Sequence, residues 1–348
     1  MTLPRRPLLL AALAAPFSAK AQTPGQPLLA APWDEVLREA RGRPMFFNAW
    51  GGDDRTNTFI AWAGGRVRDL HGVDVRHVRL RDTAEAVARV IAEKAAGRNA
   101  GGSVDMIWIN GPNFLAMKEQ GLHFGPFVDR LPNARFIDRE GKPSTVVDFT
   151  VPVEGLAAPW RMAQVAFIAD SARVPNPPLS MEALVAWARA NPGRTTHPNV
   201  RNFMGVTFLK QALYEVAPDP AALLRPVTDA TLRPAADALW AWYDRLRPHL
   251  WRGGRQFPEN GPAQRPLMLD GEIDLFITFN PSEAAVAIAN NQLPATARPF
   301  VLERGTIGNT SFVSIPYNAA NAAAAMVVAN FLLSAEAQAH GADPRVLG

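Results

Sequence analysis

The sequence predicts an α/β protein made of two compact units, on three observations. A strand, a polar or glycine-containing turn and a helix recur through the first third of the chain. Val104 to Ile109 is a nearly continuous apolar run, the character of a strand covered on both faces. At 348 residues, with 48% hydrophobic and 20% charged side chains, the chain has ordinary globular composition and more length than one core usually organises. The same composition excludes disordered and fibrous classes.

The elements follow in order. Residues 1–21 read as a cleaved secretory signal: Arg5 and Arg6 form a basic n-region, Leu8 to Phe17 an apolar stretch too short to span a bilayer, and Ala19-Lys20-Ala21 the cleavage site. The expected location is the periplasm, and the paired arginines are compatible with a twin-arginine route. Met45 to Asn48 is a short strand after Pro44, followed by the Trp50 to Asp53 loop and a helix from about Asp54 to Leu70. Val73 to Leu80 alternates as a strand does. Asp82-Thr83-Ala84-Glu85 has the form of a capping box, a short side-chain oxygen with a carboxylate three residues on, and opens a helix to about Ala96. Val104 to Ile109 ends in Asn110-Gly111-Pro112-Asn113 and a short helix stopped by Gly121. The first third is therefore β-α-β-α-β-α, a parallel sheet with right-handed crossovers.

Leu131 to Val153 has low periodicity, and Trp160 to Ala169 returns as a strand that crosses to a second lobe. Ser180 caps a helix to about Ala190, and further helices run from Thr207 to Val216 and from Thr231 to Arg247. The stripe Trp240, Trp242, Tyr243, Leu246 and Leu250 packs a helix face. Leu275 to Phe279 is a buried strand that ends in Asn280-Pro281-Ser282-Glu283 before another helix. Strands near Arg298 to Leu302 and Phe312 to Ile315 follow, and Ala319 to Leu333 fits a buried amphipathic helix.

Charge and motif content narrow the function. The formal charge of +4 falls to about +1 without residues 1–21, which leaves 33 basic against 32 acidic side chains and no basic excess for nucleic acid. There is no cysteine, which excludes disulfides, thiolate zinc sites, cysteine nucleophiles and a lipid-anchored cysteine. The sequence has no phosphate loop of the G-x-x-x-x-G-K-S/T form, no dinucleotide fingerprint and no G-x-S-x-G elbow. The six histidines form no metal-ligand pattern, so neither a metal nor a cofactor is expected. Acid pairs such as Asp53-Asp54 and Glu272/Asp274 suit helix capping or a solvated face better than glycoside hydrolysis.

In open α/β sheets, ligands sit outside the carboxyl ends of strands. Three turns lie there: Trp50 to Asp53, Asn110 to Asn113, and Asn280 to Glu283. Each joins amide or carboxylate groups to turn residues, and two have a tryptophan within reach, a composition for stacking and orienting a flat solute.

These residues belong to a longer pattern. The blocks Phe47 to Asp53, Ser103 to Phe114, Phe124 to Phe127 with Leu131-Pro132-Asn133, Asp148 to Gly155, Ala158 to Trp160, Phe208 to Gln211 and Gly305 to Asn309 closely resemble the YnjB-like branch of bacterial extracellular solute-binding proteins. The resemblance spans nearly all of the chain after residue 21. It implies a type II periplasmic binding protein fold, two α/β lobes with a ligand cleft between them. It further implies delivery of a small molecule to an ABC-type inner-membrane permease with its ATPase, by a monomer without catalytic residues. On that pattern lobe 1 is residues 22–150 plus about 284–348, lobe 2 is residues 151–283, and the hinge crossovers lie near 150–160 and 278–285. Implied ligand-binding residues are Trp50, Gly51, Gly52, Asp53, Trp108, Asn110, Gly111, Asn113, Trp160, Gln164, Thr207, Asn280 and Glu283. Trp50, Trp108 and Trp160 are the implied stacking walls, and Asp53 and Glu283 the implied partners for a cationic, thiamine-like solute. Aromatic platforms with amides leave sugars open as well, ferric iron would want clustered tyrosines that Tyr214, Tyr243 and Tyr317 do not form, and an anion on a helix N-terminus would leave the tryptophans unexplained. The chain departs from the pattern at Ala157, His197 and Asn202, in segments expected near the cleft.

The residues alone leave two other classes open. An exported hydrolase or lyase would use Asp53, Asp105 or Glu283 and form product. A ligand-sensing module would share the lobe closure and signal through a partner.

Overall fold

The computed structural model describes residues 26–348, and the expected leader lies outside the described residues. Helix α1 (Trp33–Ala40) precedes β1 (Pro44–Trp50), α2 (Asp54–His71), β2 (Asp74–Leu80), α3 (Ala84–Ala95), β3 (Met106–Ile109) and α4 (Pro112–Glu119). The caps explain the breaks. Asp53 accepts from the Thr56 amide to start α2, and Gly72, at φ 72°, ends it with a bond back to Arg68 O. Asp82 accepts from the Ala84 amide while Glu85 reaches back to the Asp82 amide, the reciprocal pattern its sequence predicts.

A hairpin of β4 (Val147–Asp148) and β5 (Val151–Pro152) leads to β6 (Ala157–Gln164) and β7 (Ala166–Asp170). Then come α5 (Met181–Ala190), capped by Ser180, and α6 (Phe203–Val216), capped by Asn202. Next are α7 (Asp229–Leu246), α8 (Gln264–Leu269), β8 (Leu275–Thr278), α9 (Glu283–Ala289) and β9 (Ala297–Phe300). The chain closes with β10 (Gly308–Ser314), α10 (Ala322–Leu332) and α11 (Ala335–Ala342).

Two sheets organise these elements. The first has the order β2-β1-β3-β10-β6, with β2, β1 and β3 parallel and β10 antiparallel to both of its neighbours. The second has the order β8-β7-β9, all antiparallel. The first sheet is covered on both faces, by α1, α2 and α10 on one and by α3 and α4 on the other. In the second lobe α5, α6 and α7 build one core, while Met268 of α8 and Ala284 and Ala287 of α9 pack with Ile168 and Phe276 in the other.

Three expectations need correction. The crossings lie at residues 164–166, where β6 runs almost directly into β7, and at 301–307, between β9 and β10. Strand pairing moves them from 150–160 and 278–285: β6 belongs to the first sheet, and α9 and β9 to the second. Where the crossings meet, the Val165 amide donates to Ile307 O, and the Gln164 amide donates to Phe279 O just after β8. The alanine-rich helix is not amphipathic; α10 is buried on nearly every face, because small side chains let it sit between α1 and α2. The α7 stripe divides: Trp242 is buried and donates to Met181 O at 2.9 Å, whereas Trp240 is exposed. Among the described residues no single helix is long and apolar enough to cross a membrane.

Candidate functional site

The loops after β1, β3 and β8 face one another across a cavity of about 320 Å³, lined from both lobes. The first lobe contributes Trp50, Asp53, Trp108, Asn110 and Asn113, together with side chains of β6 and β10. The second contributes the start of α6, the Gly261-Pro262 turn, Arg265, and Thr278 to Asn280 with Glu283. Aromatic rings make much of the wall: Phe203 lies 5.5 Å from Phe279 between ring centres and meets Phe149 of the first lobe edge-on at 6.3 Å.

Charge organises the floor. Arg265 donates from Nε to Glu283 Oε1 at 2.6 Å, while its Nη2 stands 3.6 Å from Asp53 Oδ1 in the other lobe. Thr278 donates to the second Glu283 oxygen. Asp53 accepts from the Thr56 amide and hydroxyl at 3.0 and 2.9 Å, and Arg55 Nε lies 4.0 Å away. Burial opposes the Asp53 charge, but the Thr56 hydrogen bonds and the two guanidinium groups outweigh it and hold the carboxyl below its ordinary range. Arg161 emerges from β6 beside this group; burial pulls its pKa down, the Arg55 charge adds to that, and Asp53 and Glu283 offset part of it.

Asp148 of the first lobe and Lys210 of the second also feel each other's charge. Asp148 accepts from the Gly111 amide, and burial pushes its pKa up to about 6 against that bond, the Asn110 side chain and the Lys210 charge. Lys210, from α6, is itself drawn below its ordinary value by burial and sits 4.8 Å over the Phe149 ring.

Seven of the thirteen implied residues line this cavity: Trp50, Asp53, Trp108, Asn110, Asn113, Asn280 and Glu283. Six are placed elsewhere, each for a visible reason. Trp160 is buried beneath the cleft, edge-on to Trp108 at 5.2 Å and stacked on Phe59 at 5.8 Å. Side chains alternate along β6, so Arg161 and Ala163 face the cavity and Trp160 faces the core. Gln164 is exposed at the crossover and donates to Thr306 Oγ1 at 3.2 Å. Thr207 is buried and donates to Phe203 O at 2.8 Å within α6.

The three glycines serve the backbone. A side chain at Gly51 would collide with Arg79, and one at Gly52 would stand 2.5 Å from the Trp50 ring. Gly111 holds φ 56°, ψ −128°, a conformation open to glycine alone, and offers its amide to Asp148. Two of the lining amides are also engaged: Asn110 donates to Thr310 O and Asn280 to Leu347 O at 2.6 Å.

Other expectations resolve as structure. Asp105 accepts from the Phe46 and Asn321 amides and the Asn321 side chain, locked into the first core. Asp274 is bound by Arg194, and Glu272 accepts from Trp251. Of the departures from the pattern, only Asn202 reaches the cavity; Ala157 and His197 are buried in their lobes.

Sequence reasoning missed the basic side chains of the cleft: Arg55, Arg81, Arg161, Arg201, Lys210 and Arg265. One signal was present, since Arg161 is the only charged residue between Ala157 and Ala169, an otherwise apolar stretch. A lone charge in a buried strand has to face something other than the core.

Comparisons with known proteins agree with this architecture. The sequence model of the family described as bacterial extracellular solute-binding protein matches residues 68–346. Protein YnjB of Escherichia coli (strain K12) is 44% identical over 319 residues, 92% of this chain and 82% of that protein. Among solved structures, the Tp0655 (TpPotD) lipoprotein of Treponema pallidum has a TM-score of 0.63 at 14% identity, over 84% of this chain and 80% of that one. The apo ferric ion-binding protein A of Pasteurella haemolytica has a TM-score of 0.62 at 14% identity, over 87% and 83%. AfuA of Actinobacillus pleuropneumoniae, with fructose-6-phosphate bound, has a TM-score of 0.60 at 16% identity, over 88% and 84%. The fold is thus that of periplasmic binding proteins, two α/β domains.

Proposed function

The chain belongs to the bacterial extracellular solute-binding protein family, of which YnjB is a relative, and on that premise we propose that it is the substrate-binding component of an ABC-type importer. A small solute enters the cleft, the lobes close on it, and the closed form presents it to an inner-membrane permease with its ATPase. The observation that carries this reading is one cavity lined from both lobes, with Arg265 spanning it between Glu283 and Asp53. A solute seated there touches both lobes at once, so its binding energy favours the closed arrangement.

The order β2-β1-β3-β10-β6, with a returning strand inserted beside β3, supports the type II form of the fold. In this reading, among the described residues, lobe 1 is residues 26 to about 164 plus about 308 to 348, and lobe 2 lies between. The expected leader supports a periplasmic location. The family and the solved structures it resembles are transport proteins that bind solutes, not enzymes. The thiamine-like cation implied by the resemblance rests on Asp53 and Glu283, and both carboxylates already face Arg265.

The test is a thermal-unfolding screen of the purified protein against sugars, organic cations, organic phosphates and carboxylates. A ligand held only by the folded state stabilises it by RT ln(1 + [L]/Kd), about 4 kcal/mol at a thousandfold excess over Kd. A selective, saturable rise with no product formed is the expected result. Conversion of a solute to product, or a cooperatively folded protein that responds to none, would overturn the reading.

A further inference from the structure

We propose that the cleft holds its solute by a phosphate-type head, a compact tetrahedral dianion gripped by Arg55, Arg161 and Arg265, with the solute's body against Trp50, Trp108 and Phe203. The inference rests on the solute-binding reading above and names the chemistry of its cargo.

The charge inventory comes first. Six basic side chains line the cavity against three acidic ones, although the chain beyond residue 21 is nearly neutral. The acids are occupied: Asp53 caps α2 and faces Arg265, Glu283 accepts from Arg265 and Thr278, and Asp82 accepts from the Ala84 amide. The cations are not matched in the same way. Arg55 Nη1 is buried with no hydrogen-bond partner. Arg161 has neither a hydrogen bond nor an ion pair within 4.0 Å among the described residues, although it lines the cavity and feels the Arg55 charge. A guanidinium group carries five donors in a rigid fork, and leaving one unpaired away from water, as at Arg55 Nη1, is costly. A ligand that supplies acceptors at that point removes the cost and gains charge-assisted hydrogen bonds.

Geometry selects the head group. The three arginines come from different elements: Arg55 from the first turn of α2, Arg161 from the middle of β6, Arg265 from α8 in the other lobe. A tetrahedral oxyanion presents three peripheral oxygens in three directions, whereas a planar carboxylate presents two. Two negative charges also suit a lining that is three charges positive. An organic cation would have to displace Arg265 from both carboxylates and then share the cavity with Arg55 and Arg161. A neutral sugar would leave Arg161 without an ion-pair partner and bring no charge to the buried Arg55 Nη1.

Inorganic phosphate probes the head alone. We would compare thermal unfolding of the protein in phosphate and in chloride, at about 10 mM and matched ionic strength, for the wild type, Arg161→Gln and Arg55→Gln. Alongside run the matched pairs thiamine and thiamine monophosphate, and glucose and glucose 6-phosphate, with spermidine as a plain cation. The expected result is a rise of the wild-type midpoint in phosphate over chloride. At least one phosphorylated member should also stabilise more than its parent, and both glutamine variants should need roughly tenfold more phosphate for the same rise. Arg55→Gln decides the matter if Arg161→Gln fails to unfold cooperatively. A phosphate rise retained in full by the variants places the ion elsewhere and overturns the inference. So does a phosphate response equal to chloride. If glucose, thiamine or spermidine then stabilises, the solute-binding reading stands without the phosphate head; silence from the whole set removes both.

Discussion

Arg265 links the lobes through Asp53: its Nη2 stands 3.6 Å from Asp53 Oδ1 across the cleft while its Nε is held at 2.6 Å by Glu283 in its own lobe. All three side chains are largely buried. Removing the cation leaves two carboxylates facing each other with one neighbour less, so Arg265→Gln should lower stability by about 3 kcal/mol. Urea unfolding measures it, and Arg265→Lys should recover only part, because an ammonium group cannot serve both carboxylates in the fork geometry.

Arg161 predicts the opposite sign. Its charge has no partner within 4.0 Å among the described residues, and burial already disfavours it. Arg161→Gln should therefore raise the solute-free midpoint, by about 1 kcal/mol in stability, while weakening solute binding. Paired unfolding curves with and without a stabilising solute separate the two effects.

Acid should act through two histidines and one aspartate. His123 and His197 are pushed down to about 4 by burial, against hydrogen bonds to Phe114 O and Pro198 O. With Nδ1 donating to Pro198 O, His197 Nε2 accepts from the Tyr243 hydroxyl at 3.0 Å. The unfolded chain takes up protons that the folded one refuses between the ordinary value of 6.5 and about 4. Their contribution is thus present above pH 6.5 and lost as pH falls through that window. Asp148 runs the other way. Its carboxyl, raised to about 6, keeps a proton that the unfolded chain releases, so its contribution is full below 3.8 and lost as pH rises through 6. Asp148→Asn should accordingly stabilise the protein at pH 7, on the order of 1–3 kcal/mol, and steepen the loss toward pH 4. Midpoints measured from pH 4 to 8 check both signs.

Two glycines give distinguishable failures. Gly111→Ala forces a β-carbon into φ 56°, ψ −128° and should cost about 1–3 kcal/mol, with the Asp148 bond disturbed. Gly52→Ala places a methyl group 2.5 Å from the Trp50 ring and should change the tryptophan emission by turning that ring.

The first lobe was legible almost element by element, since its strands and helices carry local signals: Asp53 and Asp82 as caps, Gly121 as a stop, alternation from Val73 to Leu80. The loops at the carboxyl ends of strands were legible for the same reason, and Trp50, Asp53, Trp108 and Asn113 do meet in one cavity. What local pattern cannot give is which face of a strand looks inward. Trp160 and Arg161 are neighbours on β6, and in a strand one residue exchanges core for cleft. The crossings were misplaced because β6 and β7 read as a single apolar run, and only pairing shows that residues 157–164 and 166–170 belong to different sheets. Arg265 carries no local signal at all, because its role depends on Asp53, more than two hundred residues away.

The most direct measurement is a calorimetric titration of the solute that stabilises the protein best, in the wild type and in one variant from each side of the cleft, Trp108→Ala and Phe203→Ala. A solute held between the lobes predicts one site per chain and at least about tenfold weaker binding in both variants, each of which stays folded. Unchanged affinity in either variant, or a second equivalent site, would contradict it.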